Sequence, residues 1–251
     1  EGDFYGAKYS MKVAGIGVAP YAGYYKNDAA ALSTFNPGVD AAYFGVDVDG
    51  KAGAFGYAAT AIYNDWSNGA SDGDALSLYA KGTMAMGATT LTLEAAHMGD
   101  EDNQGGNAMS LAQNAATGPI VNFSEILTGG MYTSNSTGTT ANSGGAANQY
   151  KSNWMYIKAG AAQKLSDSMT ISASVAHLQQ AMDDESGTTK VESITYGQEI
   201  TGYFDYTIVP GLGLNVMGSY LLADSDFGKT ATPGSGGDNA YKLGTSLNYK
   251  F

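Results

Sequence analysis

The sequence predicts an all-β protein, an antiparallel transmembrane β-barrel, and three observations carry that prediction. Apolar residues alternate with small or polar ones at period two, from Tyr5, Ala7, Tyr9, Met11 and Val13 near the start to Tyr241, Leu243, Leu247, Tyr249 and Phe251 at the end. Successive segments are joined alternately by tight turns and by long polar loops. The face that is not apolar carries mostly Gly, Ala, Ser, Thr and Asn with a few charges, whereas a soluble sandwich fills a core with bulky residues and often charges its solvated face.

Eleven strands are expected, over residues 4–14, 16–26, 41–50, 53–64, 75–87, 89–98, 152–165, 168–180, 192–209, 212–223 and 240–251. The first sets Gly6, Lys8, Ser10 and Lys12 opposite its apolar face, and the second aligns Ile16, Val18, Pro20, Ala22 and Tyr24. In the fifth, Leu76, Leu78, Ala80, Met84 and Met86 alternate with Ser77, Tyr79, Lys81, Thr83 and Ala85. In the eighth, Met169, Ile171, Ala173 and Val175 alternate with Thr170, Ser172 and Ser174. Tight turns are expected at 14–15, 50–52, 87–88, 166–168 and 210–212. The whole of 1–251 reads as one barrel with one exceptional loop, at 99–151.

Composition narrows the function. The 251 residues include 35 Gly and 18 Tyr, and the 12 basic residues are all Lys. A net charge of -12 argues against a nucleic-acid partner, because phosphate binding needs clustered positive charge. With no cysteine there is neither a disulfide nor a thiolate metal site. No run of about 18 apolar residues exists, so a transmembrane helix is excluded, whereas barrel strands cross a bilayer with only ~9–11 alternating residues.

The terminal strand, with Phe251 last and Tyr249, Leu247, Leu243 and Tyr241 alternating behind it, resembles the C-terminal signature of Gram-negative outer-membrane barrel proteins. In that family the strand is read by the barrel assembly machinery. The resemblance therefore implies that these five residues are an assembly signal and that the chain resides in an outer membrane, against lipid and lipopolysaccharide. It also implies a porin, commonly a homotrimer. Such barrels keep the short turns and both termini on the periplasmic side, with an even strand number. Here the first and last strands both descend toward the short turns, and eleven is odd. The chain therefore reads as a processed product or the C-terminal part of a barrel of 12 or more strands, unless one strand is miscounted.

Strand charges fall on the polar face: Lys8, Lys12, Lys81, Lys158 and Lys242 together with Asp47, Asp49, Glu94, Glu199 and Asp205. These are the expected pore-lining residues. Counted from their short turns, Lys8, Lys81 and Lys158 lie at similar heights, and a row of ammonium groups in a wet pore attracts anions. Pairing among the charges, which would fill the interior, is the alternative. The loop at 99–151 is similar in length and place to the one that folds into porin barrels; within it 109–115 and 124–127 could form helical turns. A mobile surface loop is the other reading.

The long loops are acidic, with Asp65, Asp72, Asp74, Asp100, Glu101, Asp102, Asp183, Asp184, Glu185, Asp224, Asp226 and Asp238. Such carboxylates suit Ca2+ or Mg2+ bridges to lipopolysaccharide phosphates, but no loop has a full DxDxDG spacing, and solubility is the plainer role. No cofactor is expected. His97 and His177 fit neither a triad nor a metal spacing, so no catalysis is assigned. The favoured reading is a porin for passive diffusion of small hydrophilic solutes or ions, with weak preference for anions. The alternatives are a barrel sheathing a partner such as a multihaem cytochrome, and an outer-membrane hydrolase.

Overall fold

In the computed structural model, the described residues are 2–27, 40–67, 72–98, 124–126, 154–180, 195–225 and 238–250. Period-two patterning becomes twelve strands: β1 (Gly2–Lys8), β2 (Met11–Val13), β3 (Ile16–Asn27), β4 (Asp40–Ala52), β5 (Phe55–Ser67), β6 (Asp72–Met86), β7 (Thr89–Met98), β8 (Trp154–Lys164), β9 (Met169–Gln180), β10 (Thr195–Val209), β11 (Leu212–Ala223) and β12 (Ala240–Tyr249). They form one antiparallel sheet in the order β1-β3-β4-β5-β6-β7-β8-β9-β10-β11-β12, with β2 also paired to β3. Among the described residues no pairing joins β1 to β12.

The strand expected at 4–14 is thus two short ones on a single register, Lys8 opposite Tyr21 and Met11 opposite Val18. Pro20 causes the interruption. The Tyr9 N–H donates to the Pro20 carbonyl at 3.0 Å, but proline has no N–H to return. The turn expected at 50–52 is a second correction. β4 runs on to Ala52, and the chain reverses at 53–54, where Gly53 takes φ +62. A left-handed residue is what a two-residue hairpin needs, and Gly15, Gly87 and Gly211 supply it at three other turns. At 165–168 the Lys164 ammonium donates to the exposed Asp167 carboxylate at 2.8 Å, holding that carboxyl below its usual range.

The two faces differ sharply. Exposed large apolar side chains include Tyr63, Leu93, Ile157, Ile171, Val175, Ile200 and Val216, and on β12 Tyr241 and Leu243 are each 79% exposed. The buried cluster, including Tyr21, Tyr43, Ile62, Tyr156, Ala176, Leu178 and Leu221, lies wholly on the opposite, polar face. Side chains that bury one another on one side of a single sheet mark its concave side. Tyrosines and glycines interlock there across β3 and β4: Tyr21 pairs with Gly45 and Tyr43 with Gly23. A Cβ added at either glycine would run into the partner's ring, so each ring occupies the space its glycine leaves.

Candidate functional site

Strand register sets the charges in a row. One rung of directly opposed residues crosses the whole sheet as Lys12, Gly17, Asp49, Ala58, Lys81, Glu94, Lys158, Ala176, Glu199, Leu221 and Ala240. Its charges alternate strictly in sign, from Lys12 through Asp49, Lys81, Glu94 and Lys158 to Glu199. Like charges directly opposite one another destabilise a strand pair and unlike charges support it, which favours this order. All ten expected lining residues occupy the concave face. Lys8 is four residues along from Lys12, on the rung of Tyr21 and Gly45, so it does not share a rung with Lys81 and Lys158. Lys242 lies on the next rung of this face, with Ser219 and Thr201, and Asp205 three rungs away, with Asn215 and Ser246.

Contacts resolve much of the mixed charge into local pairs. Lys8 Nζ lies 2.7 Å from Asp47, whose other oxygen accepts from Thr60 at 2.9 Å, and the same ammonium stands 5.3 Å from the centre of the Tyr21 ring. Lys81 is a looser 3.8 Å from Glu94, which accepts from the Tyr156 hydroxyl at 2.6 Å. Asn215 donates to Asp205. These half-exposed ion pairs are worth little stability each, on the order of 0–1 kcal/mol. Their effect is positional.

Glu199 is different. It is 2% exposed, and its carboxylate accepts from the hydroxyls of Ser124 and Thr201 (the latter at 3.1 Å) and from the backbone N–H groups of Glu125 and Ile126, at 2.7 and 3.2 Å. Glu125 is held in turn by Tyr203, whose hydroxyl donates to it at 2.7 Å, and by Lys242, which reaches its carboxylate at 3.2 Å and its carbonyl at 2.8 Å. Residues 124–126, the described part of the long loop, are therefore clamped to wall side chains of β10 and β12. Two backbone donors and two hydroxyls satisfy a buried carboxylate that would otherwise be costly. A bend forms at 125–126 rather than the helical turn expected at 124–127, because these N–H groups point to Glu199; the turn expected at 109–115 lies outside the described residues.

The expectation missed Ser124, Glu125, Tyr203 and Lys51. A turn at 50–52 removes Lys51 from the wall, whereas the observed turn returns it to the concave face opposite Gly56. His97 and His177 face the apolar side, where the His177 ring lies 3.2 Å from Gln179. No cluster of three potential metal ligands occurs among the described residues. Of the expected assembly signal, Tyr241, Leu243, Leu247 and Tyr249 share the exposed apolar face of β12; Phe251 lies outside the described residues. Of the acidic loop residues, Asp65, Asp72, Asp74, Asp224 and Asp238 are described, all at long-loop ends of strands, and the others are not.

Fold and face together define an all-β antiparallel sheet of twelve strands with an apolar outside and a polar, charged inside. Among solved structures the chain is similar to "Outer-membrane expressed OmpT of Vibrio cholerae", at 11% identity and a TM-score of 0.46 over 97% of this chain and 64% of that one. It thus spans less than two thirds of that protein's length. A second similar chain, from work headed "Unveiling the Mechanism Behind the in-meso Crystallization of Membrane Proteins", is 7% identical with a TM-score of 0.34, over 99% of this chain and 76% of that one. No protein-family model matches the sequence, and no curated protein does.

Proposed function

We propose that the chain is an outer-membrane porin of a Gram-negative bacterium, passing small hydrophilic solutes or ions by diffusion along its concave face. The observation that carries this reading is the rung of six alternating charges on the face opposite an exposed apolar one. Charges that line a hydrated path are stable without dry burial, and the exposed Leu, Ile, Val and Tyr side chains suit lipid. The clamp at Glu199 supports a loop that enters the lumen and narrows it.

Wall charge is balanced. Lys8, Lys12, Lys51, Lys81, Lys158, Lys164 and Lys242 give +7, and Asp47, Asp49, Glu94, Glu125, Glu199 and Asp205, with the turn residue Asp167 that pairs with Lys164, give −7. A weak anion preference then comes from arrangement. Hydroxyl and N–H donors reach Asp47, Glu94, Glu125 and Glu199, whereas Lys12, Lys51 and Lys158 make no ion pair among the described residues. The test is single-channel recording of folded protein in planar bilayers, followed by swelling of protein-loaded liposomes in sugars of increasing size. Discrete steps and a size cut-off are expected. Folded protein that inserts but neither conducts nor admits sugars would overturn the porin reading and favour a sheath or a hydrolase.

A further inference from the structure

We propose that the concave face carries a binding recess for a small oxyanion dianion, phosphate or a phosphomonoester, near the short-turn end and built by Lys12, Lys51 and Lys81. These lysines come from β2, β4 and β6 and line one open recess of about 430 Å3 with Asp49 and Thr83. The formal charge of the group is +3 − 1 = +2. That is the complement of a dianion, not of chloride.

This corner gathers Lys12 and Lys51, which, like Lys158 further along the rung, make no ion pair among the described residues. Lys8 and Lys242 each contact an acid at 2.7 and 3.2 Å. Lys81 reaches Glu94 only at 3.8 Å, where Tyr156 already donates to that carboxylate at 2.6 Å. Asp49, the one acid in the recess, folds over Gly17, in the space a Cβ there would take. Gly56 keeps the opposite side open, since a Cβ there would stand 2.8 Å from the Thr83 hydroxyl and 3.9 Å from the Lys51 stem. Three ammonium groups around one hollow repel one another until a dianion enters, and the Thr83 hydroxyl adds a donor. Lysine presents point charges on flexible stems rather than the rigid fork of arginine, which suits brief, exchangeable contacts.

As a station on a diffusion path the recess rests on the porin reading; as a binding site it does not. Two measurements separate these claims. In the first, inorganic phosphate is titrated calorimetrically at low salt into the folded chain, held in a detergent without phosphate groups. Saturable binding is expected, weakened about tenfold in the Lys12→Gln/Lys51→Gln variant, the scale of two half-exposed ion contacts. The Lys8→Gln/Lys158→Gln variant, with the same change in net charge, keeps the wild-type affinity. No binding by the wild type, or equal weakening in both variants, overturns the recess. Doping the micelles with phosphatidylglycerol separates free solute from lipid headgroup: a recess on the concave face is not displaced, and competition overturns the solute assignment. In the second measurement, phosphate added to a chloride-conducting bilayer should reduce the current in wild type and not in Lys12→Gln/Lys51→Gln. A chain that binds phosphate but does not conduct retains the recess and loses the porin.

Discussion

Replacing Glu199 with Ala should release the long loop from the wall. Of the four donors that reach this carboxylate, three come from residues 124–126. A hydrogen bond to a charged group contributes about 1.5 kcal/mol or more net, so the three together hold the loop by roughly 4 kcal/mol. Loss of that sum weakens attachment by about a thousandfold, less whatever the contacts of Glu125 with Tyr203 and Lys242 retain. The assay is limited chymotrypsin digestion of folded protein. Phe123 immediately precedes the clamp in sequence, and cleavage there is the expected reporter of release of 124–126 from the wall. Where opening and closing are fast, cleavage tracks the population of the open form. Glu199→Ala should be cut much faster than wild type and should conduct more, with noisier open-channel current. Thr201→Ala, which removes the one donor that is not from the loop, should change cleavage little. Equal cleavage and equal conductance in wild type and Glu199→Ala would refute the clamp.

Four further outcomes are expected. Deleting Phe251, or changing it to Asp, should prevent assembly, and recovery of the heat-modifiable folded form from outer membranes would contradict the assembly signal. Cysteine at Asp238 should react with an impermeant maleimide on intact cells and cysteine at Asp167 only after permeabilisation; the reverse pattern would invert the topology. Changing Lys8, Lys81 and Lys158 together to Glu should move the reversal potential toward cations in dilute KCl and less so at 1 M, where the screening length falls to ~3 Å; an unchanged potential at low salt would take these lysines off the conduction path. Gly45→Val should displace the Tyr21 ring and cost about 1–3 kcal/mol, read as a lower temperature for loss of the folded band on gels.

The strands were legible because period two is a local property: each segment announces its own two faces. Pairing order followed, since tight turns force sequential hairpins. Two local errors have local causes. Pro20 interrupts the strand opposite it, not the one that contains it, and Gly50 competes with Gly53 as a turn glycine until the backbone decides between them. The clamp was not legible at all. Ser124 and Glu199 are 75 residues apart, and neither the FSEI stretch nor the sequence around Glu199 differs from its neighbours in any way that names the other. Lys81 and Lys158 could be placed by counting from turns, but only the strand register reveals that Lys12 joins them on one rung and that acids stand between them.

The rung of six charges also governs how far the wall is felt. With strands ~4.8 Å apart, its sign repeats over roughly 10 Å from Lys81 to Lys158, roughly 14 Å between successive acids and roughly 19 Å from Lys12 to Lys81. The potential of such an alternating row decays away from it over a fraction of that repeat, about 2–3 Å, well inside the ~8 Å screening length of physiological salt. For the proposed path, a solute kept away from the wall would cross nearly flat ground, whereas one large enough to brush the wall would ride over a corrugation of both signs. Width and charge discrimination are thereby coupled. On the proposed porin reading, small ions would be sorted only weakly, and bulkier zwitterions, whose opposite ends can sit over opposite charges, are the species such a surface would slow and orient.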